Sequence, residues 1–149
     1  MPLQFDRAAH QAIRARIADL ETLVEELTQG GGDEAARGRA AGLVEFFDAS
    51  AAGHVRSEER TLFPRLRALA AAERRTDLLT AVRQLEIDHA AMCEKYRRVR
   101  EQLAELAAGR SRRLDIERVG NLAYATRRHL SSEEAIVSLA AAPDGVPAK

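Results

Sequence analysis

The chain of 149 residues is long enough for one domain with a sizeable core, and its wealth of Ala, Leu, Arg and Glu, with only 4% aromatic residues, favours helix over sheet. Its 23 basic and 23 acidic side chains balance, so no field of one sign argues for nucleic acid or an anionic membrane as partner. A single cysteine, Cys93, excludes an internal disulfide framework and a cysteine-rich zinc site, and makes a reducing cytoplasm the expected location.

The opening residues MPLQFDRAAH lack the basic start and apolar core of a signal peptide, and no apolar run approaches the roughly 20 residues of a membrane span. A first helix is expected over about 5–28, where His10, Ile13, Ile17, Leu20, Val24 and Leu27 step by three and four as the inner seam of a bundle helix. The triple glycine Gly30-Gly31-Gly32 ends it, and Asp33 is a candidate N-cap for a second helix over 33–63. Irregular helix past Pro64 to about residue 72 is the alternative to a break there. The second seam is Leu43, Phe47, Ser50, His54, Glu58 and Thr61. A third helix over 76–108, with Thr76 as candidate N-cap, carries Leu78, Val82, Leu85, His89, Met92, Tyr96, Val99, Leu103 and Leu106. The break at Gly109-Arg110-Ser111 precedes a fourth helix over 112–140 with the seam Val119, Leu122, Thr126, His129, Glu133 and Ile136. A flexible C-terminal tail is expected over 141–149. The whole reads as one all-α domain, an up-down-up-down four-helix bundle.

Short connections make successive helices antiparallel, so depth can be counted from the shared loop. His10 and His54 lie about 20 residues either side of the glycine loop, and His89 and His129 about 20 either side of Gly109. At about 1.5 Å per residue, all four imidazoles fall within about a turn of one layer. In His54-Val55-Arg56-Ser57-Glu58 and His129-Leu130-Ser131-Ser132-Glu133, the i, i+4 spacing puts an imidazole and a carboxylate on one helix face. Two such halves, each preceded by a further histidine, supply six ligands for two metal ions: His10, His54, Glu58, His89, His129 and Glu133. Imidazoles with bridging carboxylates on bundle helices point to iron, with manganese or zinc as alternatives.

As an ordered set, Phe46-Phe47, His54-x-x-x-Glu58-Glu59, Leu62-Phe63-Pro64, Asp88-His89 and His129-x-x-x-Glu133-Glu134 resemble the hemerythrin-like (HHE cation-binding) family over about residues 5–140. The resemblance implies a left-handed four-helix bundle with a non-haem di-iron centre. It makes His10, His54, His89 and His129 terminal ligands and Glu58 and Glu133 bridges. Oxygen-carrying hemerythrins have a fifth histidine one turn before the residue matching His89, where this chain has Leu85. In that respect the set is similar to bacterial di-iron proteins associated with iron-sulfur centre repair and to iron-sensing hemerythrin domains. Glu86, three residues before His89, is a further candidate ligand through its E-x-x-H spacing.

Glu59 and Glu134, next to the candidate bridges, are expected to back the ligands or face solvent, and Cys93 to be a small buried core thiol, with a redox thiol near the metal as the alternative. Met92 and Phe47 are expected to wall the metal cavity; Tyr96 is expected in the core of its stripe, with lining a ligand pocket as the alternative, and Tyr124 off the seam. The expected function is binding of, or reaction with, dioxygen, nitric oxide or peroxide in sensing or detoxification. An iron-sensing or iron-handling module and a catalase-like or ferroxidase enzyme are the alternatives. The oligomeric state is left open.

Overall fold

A computed structural model describes residues 2–142; from residue 143 onward, the expected tail lies outside the described residues. Four helical rods form the chain. Helix α1 (Arg7–Thr28) is capped by Asp6, whose carboxylate accepts the Ala9 N–H at 3.0 Å. Helix α2 spans 34–72: Glu34–Phe46, a π-helical turn Phe47–Ala51, Ala52–Ser57, a second π-helical turn Glu58–Leu62, and Phe63–Ala72. Its internal junctions at Phe47, Ala52, Glu58 and Phe63 all keep right-handed helical dihedrals, so it is one rod. Helix α3 is Thr76–Ala107 and helix α4 Ile116–Ala141. Helix α1 packs on α2 and α4, and α3 packs on α2 and α4, closing the up-down-up-down ring.

The helix ends correct the expected boundaries in physical detail. Helices α1, α2 and α3 all finish in the same double hydrogen bond. Gly30 N–H reaches Leu27 O and Gly31 N–H reaches Glu26 O; Gly109 and Arg110 repeat this on Leu106 and Glu105, and Arg74 and Arg75 on Ala71 and Ala70. The left-handed residue is glycine twice, Gly30 and Gly109, but arginine at Arg74, with φ 54°. Thr76 is therefore not an N-cap. Arg75, extended after the left-handed turn, takes that position, and Thr76 is the first helical residue. Helix α4 starts at Ile116 rather than near 112, because Asp115 is extended and its carboxylate accepts the N–H groups of Glu117 and Arg118, while Leu114 is buried in the core.

Pro64 does not end α2. The π-helical turn just before it widens the helix where the proline ring would clash with the preceding turn and where its missing N–H would break the ladder. The two wide turns also alter the seam. Ser50 and Thr61, expected inside, are exposed, and Leu62 is buried where Thr61 was expected, with Ala51 half-buried beside Ser50. A seam stepping mostly by four residues through Phe47, Ala51, His54, Glu58, Leu62, Leu66 and Ala70 follows a helix of more than 3.6 residues per turn.

The apolar interior is divided in two. One cluster, including Ile17, Leu20, Leu43, Val99, Leu103 and Leu122, fills the end toward the glycine loops. The other, including Phe63, Leu66, Val82, Leu85 and Val137, fills the opposite end, with Leu3 and Phe5 packed against it. Between them lies the polar layer of histidines and glutamates. Truncating Ile17→Ala in the larger cluster is expected to cost about 2–5 kcal/mol by chemical denaturation. Ser50→Ala and Thr61→Ala should each stay within about 0.5 kcal/mol of wild type. A large loss at either surface position would contradict the wide-turn register.

Candidate metal centre

Each rod contributes to the polar layer: His10 from α1, His54 and Glu58 from α2, His89 from α3, and His129 and Glu133 from α4. His10 and Glu133 are both 0% exposed, and Glu58 only 4%. The imidazoles meet in two pairs. The rings of His10 and His54 lie 5.0 Å apart, edge to face, and those of His89 and His129 4.6 Å apart.

All four Nε2 atoms converge on the two carboxylates. His10 Nε2 lies 3.2 Å from Glu133 and 3.8 Å from Glu58; His89 Nε2 lies 2.9 Å from Glu58; His129 Nε2 lies 3.5 Å from Glu133; and His54 Nε2 contacts Glu58. None of these four nitrogens, and none of the four oxygens of Glu58 and Glu133, has a hydrogen-bond partner. Buried polar atoms are rarely left in that state, because desolvation without a partner is costly. A cation bound by lone pairs from all sides removes the penalty, so the donor set fits a metal. The potential ligand atoms fall into two groups, His10, His54, Glu58 and Glu133, and Glu58, His89, His129 and Glu133, each with all its atoms within 4.8 Å of one another. Both carboxylates belong to both groups.

The other ring nitrogens explain the aim. His10 Nδ1 lies 2.9 Å from Glu134 Oε1, and His89 Nδ1 lies 3.1 Å from Glu59 Oε1. The acid following each shared glutamate thus reaches the histidine on the neighbouring helix, fixing the tautomer that leaves Nε2 free to donate a lone pair. Glu134 is also held by Arg14 at 2.6 Å, and Asp88 lies 3.7 Å from His129 Nδ1. Phe5 stacks on the His10 ring at 5.1 Å and Phe63 packs against His89 at 5.0 Å, so apolar surface closes that end of the layer.

A cavity of about 340 Å³ reaches the layer from the side, lined by His54, Glu58, His89 and His129 at its inner end and walled by Phe47 and Met92 as expected, with Tyr96 on its lining rather than wholly in the core. Cys93 is exposed and lines the same cavity, correcting its expected place in the core. Tyr124 is 68% exposed, off the seam. The structure pairs Glu86 with Arg67 and brings it into neither ligand group. The π-helical turns flanking His54 and Glu58 were invisible to a fixed helical period. A local clue was the pair Ser50 and Thr61, small polar residues that belong neither to the apolar core nor to the ligand set of that seam.

A family model for the hemerythrin HHE cation-binding domain matches residues 1–141. No curated protein and no solved structure matches the chain.

In the metal-free chain, burial pushes the His10 imidazole down, but the carboxylates of Glu133, Glu58 and Glu134 outweigh it and raise its pKa to about 10. Burial likewise opposes, and Glu133 and Glu58 outweigh it for, His129, which rises to about 9. Burial pushes Glu58 up, but the surrounding imidazoles hold it far below the usual carboxylate range. A raised imidazole pKa stabilises the fold fully below the unfolded value near 6.5 and loses that contribution as pH climbs through the folded value. Metal-free protein should therefore resist denaturant better at pH 6 than at pH 9.5, as read by midpoints at the two pH values. A flat profile would show that the cluster does not hold protons in this way.

Proposed function

The chain belongs to the hemerythrin HHE cation-binding family, and from that membership we propose that it holds two non-haem iron ions, bridged by Glu58 and Glu133, that bind or react with dioxygen, nitric oxide or peroxide. His10 and His54 would complete one ion's protein ligands, and His89 and His129 the other's. The observation that carries this reading is the sharing of both carboxylates between two otherwise separate imidazole pairs. One ion would use only one of the two imidazole pairs. With four protein groups per ion, a six-coordinate iron keeps positions for a small ligand, and iron supplies the redox chemistry of the site. The protein's own part is to aim the Nε2 atoms through Glu59 and Glu134, and to surround the layer with apolar clusters that limit water. This reading serves sensing or detoxification equally, and a catalase-like or ferroxidase enzyme would share the same centre.

A second reading, an iron-handling or iron-sensing module, draws on Leu85. It is 1% exposed and packed in the apolar cluster, at the position where the resemblance places a fifth histidine in oxygen carriers. Fewer ligands make occupancy more responsive to iron supply. On that reading, folding is linked to iron, and a free concentration about 1,000 times the dissociation constant would add about 4 kcal/mol of stability. Equal melting temperatures with and without iron would exclude it.

Anaerobic Fe(II) loading followed by metal analysis is expected to give about two irons per chain, falling to about one in His10→Ala and below one in Glu133→Ala. Optical spectra on exposure to air, nitric oxide and peroxide then rank the small ligands. Because His10 and His129 are protonated at neutral pH in the metal-free chain, loading should release protons and tighten as pH rises toward about 9. One iron in wild type, or no spectral response to any of the three ligands, would contradict the proposal.

A further inference from the structure

The side cavity is much larger than a diatomic ligand needs. Dividing its 340 Å³ by the roughly 30 Å³ share of one water-sized group gives room for about eleven such groups. Two ions and a bridging water would take about three of these, leaving space for roughly eight heavy atoms. The cavity is therefore in the size class of pockets for small organic molecules.

Its chemistry is polarised. Between the metal layer and the surface the walls are Ile13, Phe47, Val55, Met92, Leu122 and Leu130, with alanines 51 and 52 leaving width. Thr126 is the one hydroxyl set among them, and it is buried. Four polar or charged groups lie toward the surface: Asp48, Arg56, Cys93 and Tyr96. Asp48 is consumed internally, because Arg100 grips both its oxygens at 2.8–3.0 Å and the Tyr96 hydroxyl donates to it at 2.8 Å. Burial and the nearby Glu59 carboxylate raise the Cys93 thiol, which keeps it neutral. Arg56 is exposed and has no carboxylate partner among the described residues. It is the one uncompensated charge on the lining outside the metal layer.

We infer that this cavity binds a small anionic amphiphile of about eight carbons, whose carbon chain fills the free space while its two carboxylate oxygens lie at the mouth. Its head pairs with Arg56 and its tail runs between α2 and α3 toward the metal layer. Guanidinium pairing with a carboxylate supplies orientation, and burial of the chain in the apolar section supplies affinity. The inference rests on the dinuclear reading only for what the tail meets at the inner end. It would place an organic molecule beside the ions, within reach of whatever small ligand they hold.

The test is calorimetric titration of octanoate, and of 1-octanol as the uncharged counterpart, into the full chain with and without loaded iron. Saturable binding of one octanoate per chain is expected in both forms. In Arg56→Gln, octanoate should bind roughly tenfold more weakly while 1-octanol changes by less than about twofold. Ala52→Phe, which fills the cavity, should remove both ligands while helical circular dichroism stays at the wild-type level. Arg56→Gln alters only a surface side chain and keeps the test valid if Ala52→Phe misfolds. No octanoate binding by folded wild type, or equal affinity in Arg56→Gln, would overturn the inference. Binding confined to the iron-loaded form and indifferent to Arg56 would put the carboxylate on the metal and overturn it as well. Octanoate binding retained by a chain that takes up no iron would instead sink the dinuclear reading alone.

Discussion

Two carboxylates buried at the centre of a helical bundle set the terms for everything around them. Glu58 and Glu133 stand between two apolar clusters, and only the surrounding imidazoles lie close enough to offset the loss of water. Only positive charge relieves that state. In the metal-free chain it comes from protons on His10 and His129; in a loaded chain it would come from metal. The four histidines, the acids behind them and the aromatic rings of Phe5 and Phe63 all serve to hold cationic partners against these two groups.

The arrangement has an approximate internal symmetry with a deliberate-looking break. Glu58-Glu59 gives one shared carboxylate and one acid that orients His89; Glu133-Glu134 gives the other and orients His10. The environments of the two acids differ. Arg14 neutralises Glu134, while Glu59 has no such partner among the described residues, and Asp88 adds a further negative charge near His129. The His89–His129 side thus carries more uncompensated negative charge, and both of its histidines line the cavity, whereas on the other side only His54 does. A more negative surround favours the more highly charged state of a metal, so two ions held here would be inequivalent even with matching ligand types.

Much of this was legible in the sequence because helical periodicity and loop position are strong, local signals. The seams of α1, α3 and α4 and the common depth of the histidines follow from counting residues at 3.6 per turn. Helix α2 escaped that arithmetic at Ser50 and Thr61, where two wide turns add residues without changing the local helical appearance of the sequence. Arg74 concealed a helix stop because the left-handed position usually held by glycine is held by a long side chain. Cys93 was misplaced for a different reason. Its register beside His89 and Met92 is close to the seam, but the neighbouring wall is hollow, and a cavity leaves no periodic trace in sequence. Glu86 shows the reverse failure: a ligand-like spacing along one helix whose side chain turns to Arg67 instead.

The central claim is that both carboxylates are shared between two ions, and X-ray absorption at the iron edge of the loaded protein addresses it most directly. The account predicts nitrogen and oxygen scatterers around each iron, including imidazole, and a second iron at about 3.5–4 Å. An imidazole-bearing iron shell with no second metal in that range would mean that Glu58 and Glu133 close around a single ion, and the dinuclear account would fail.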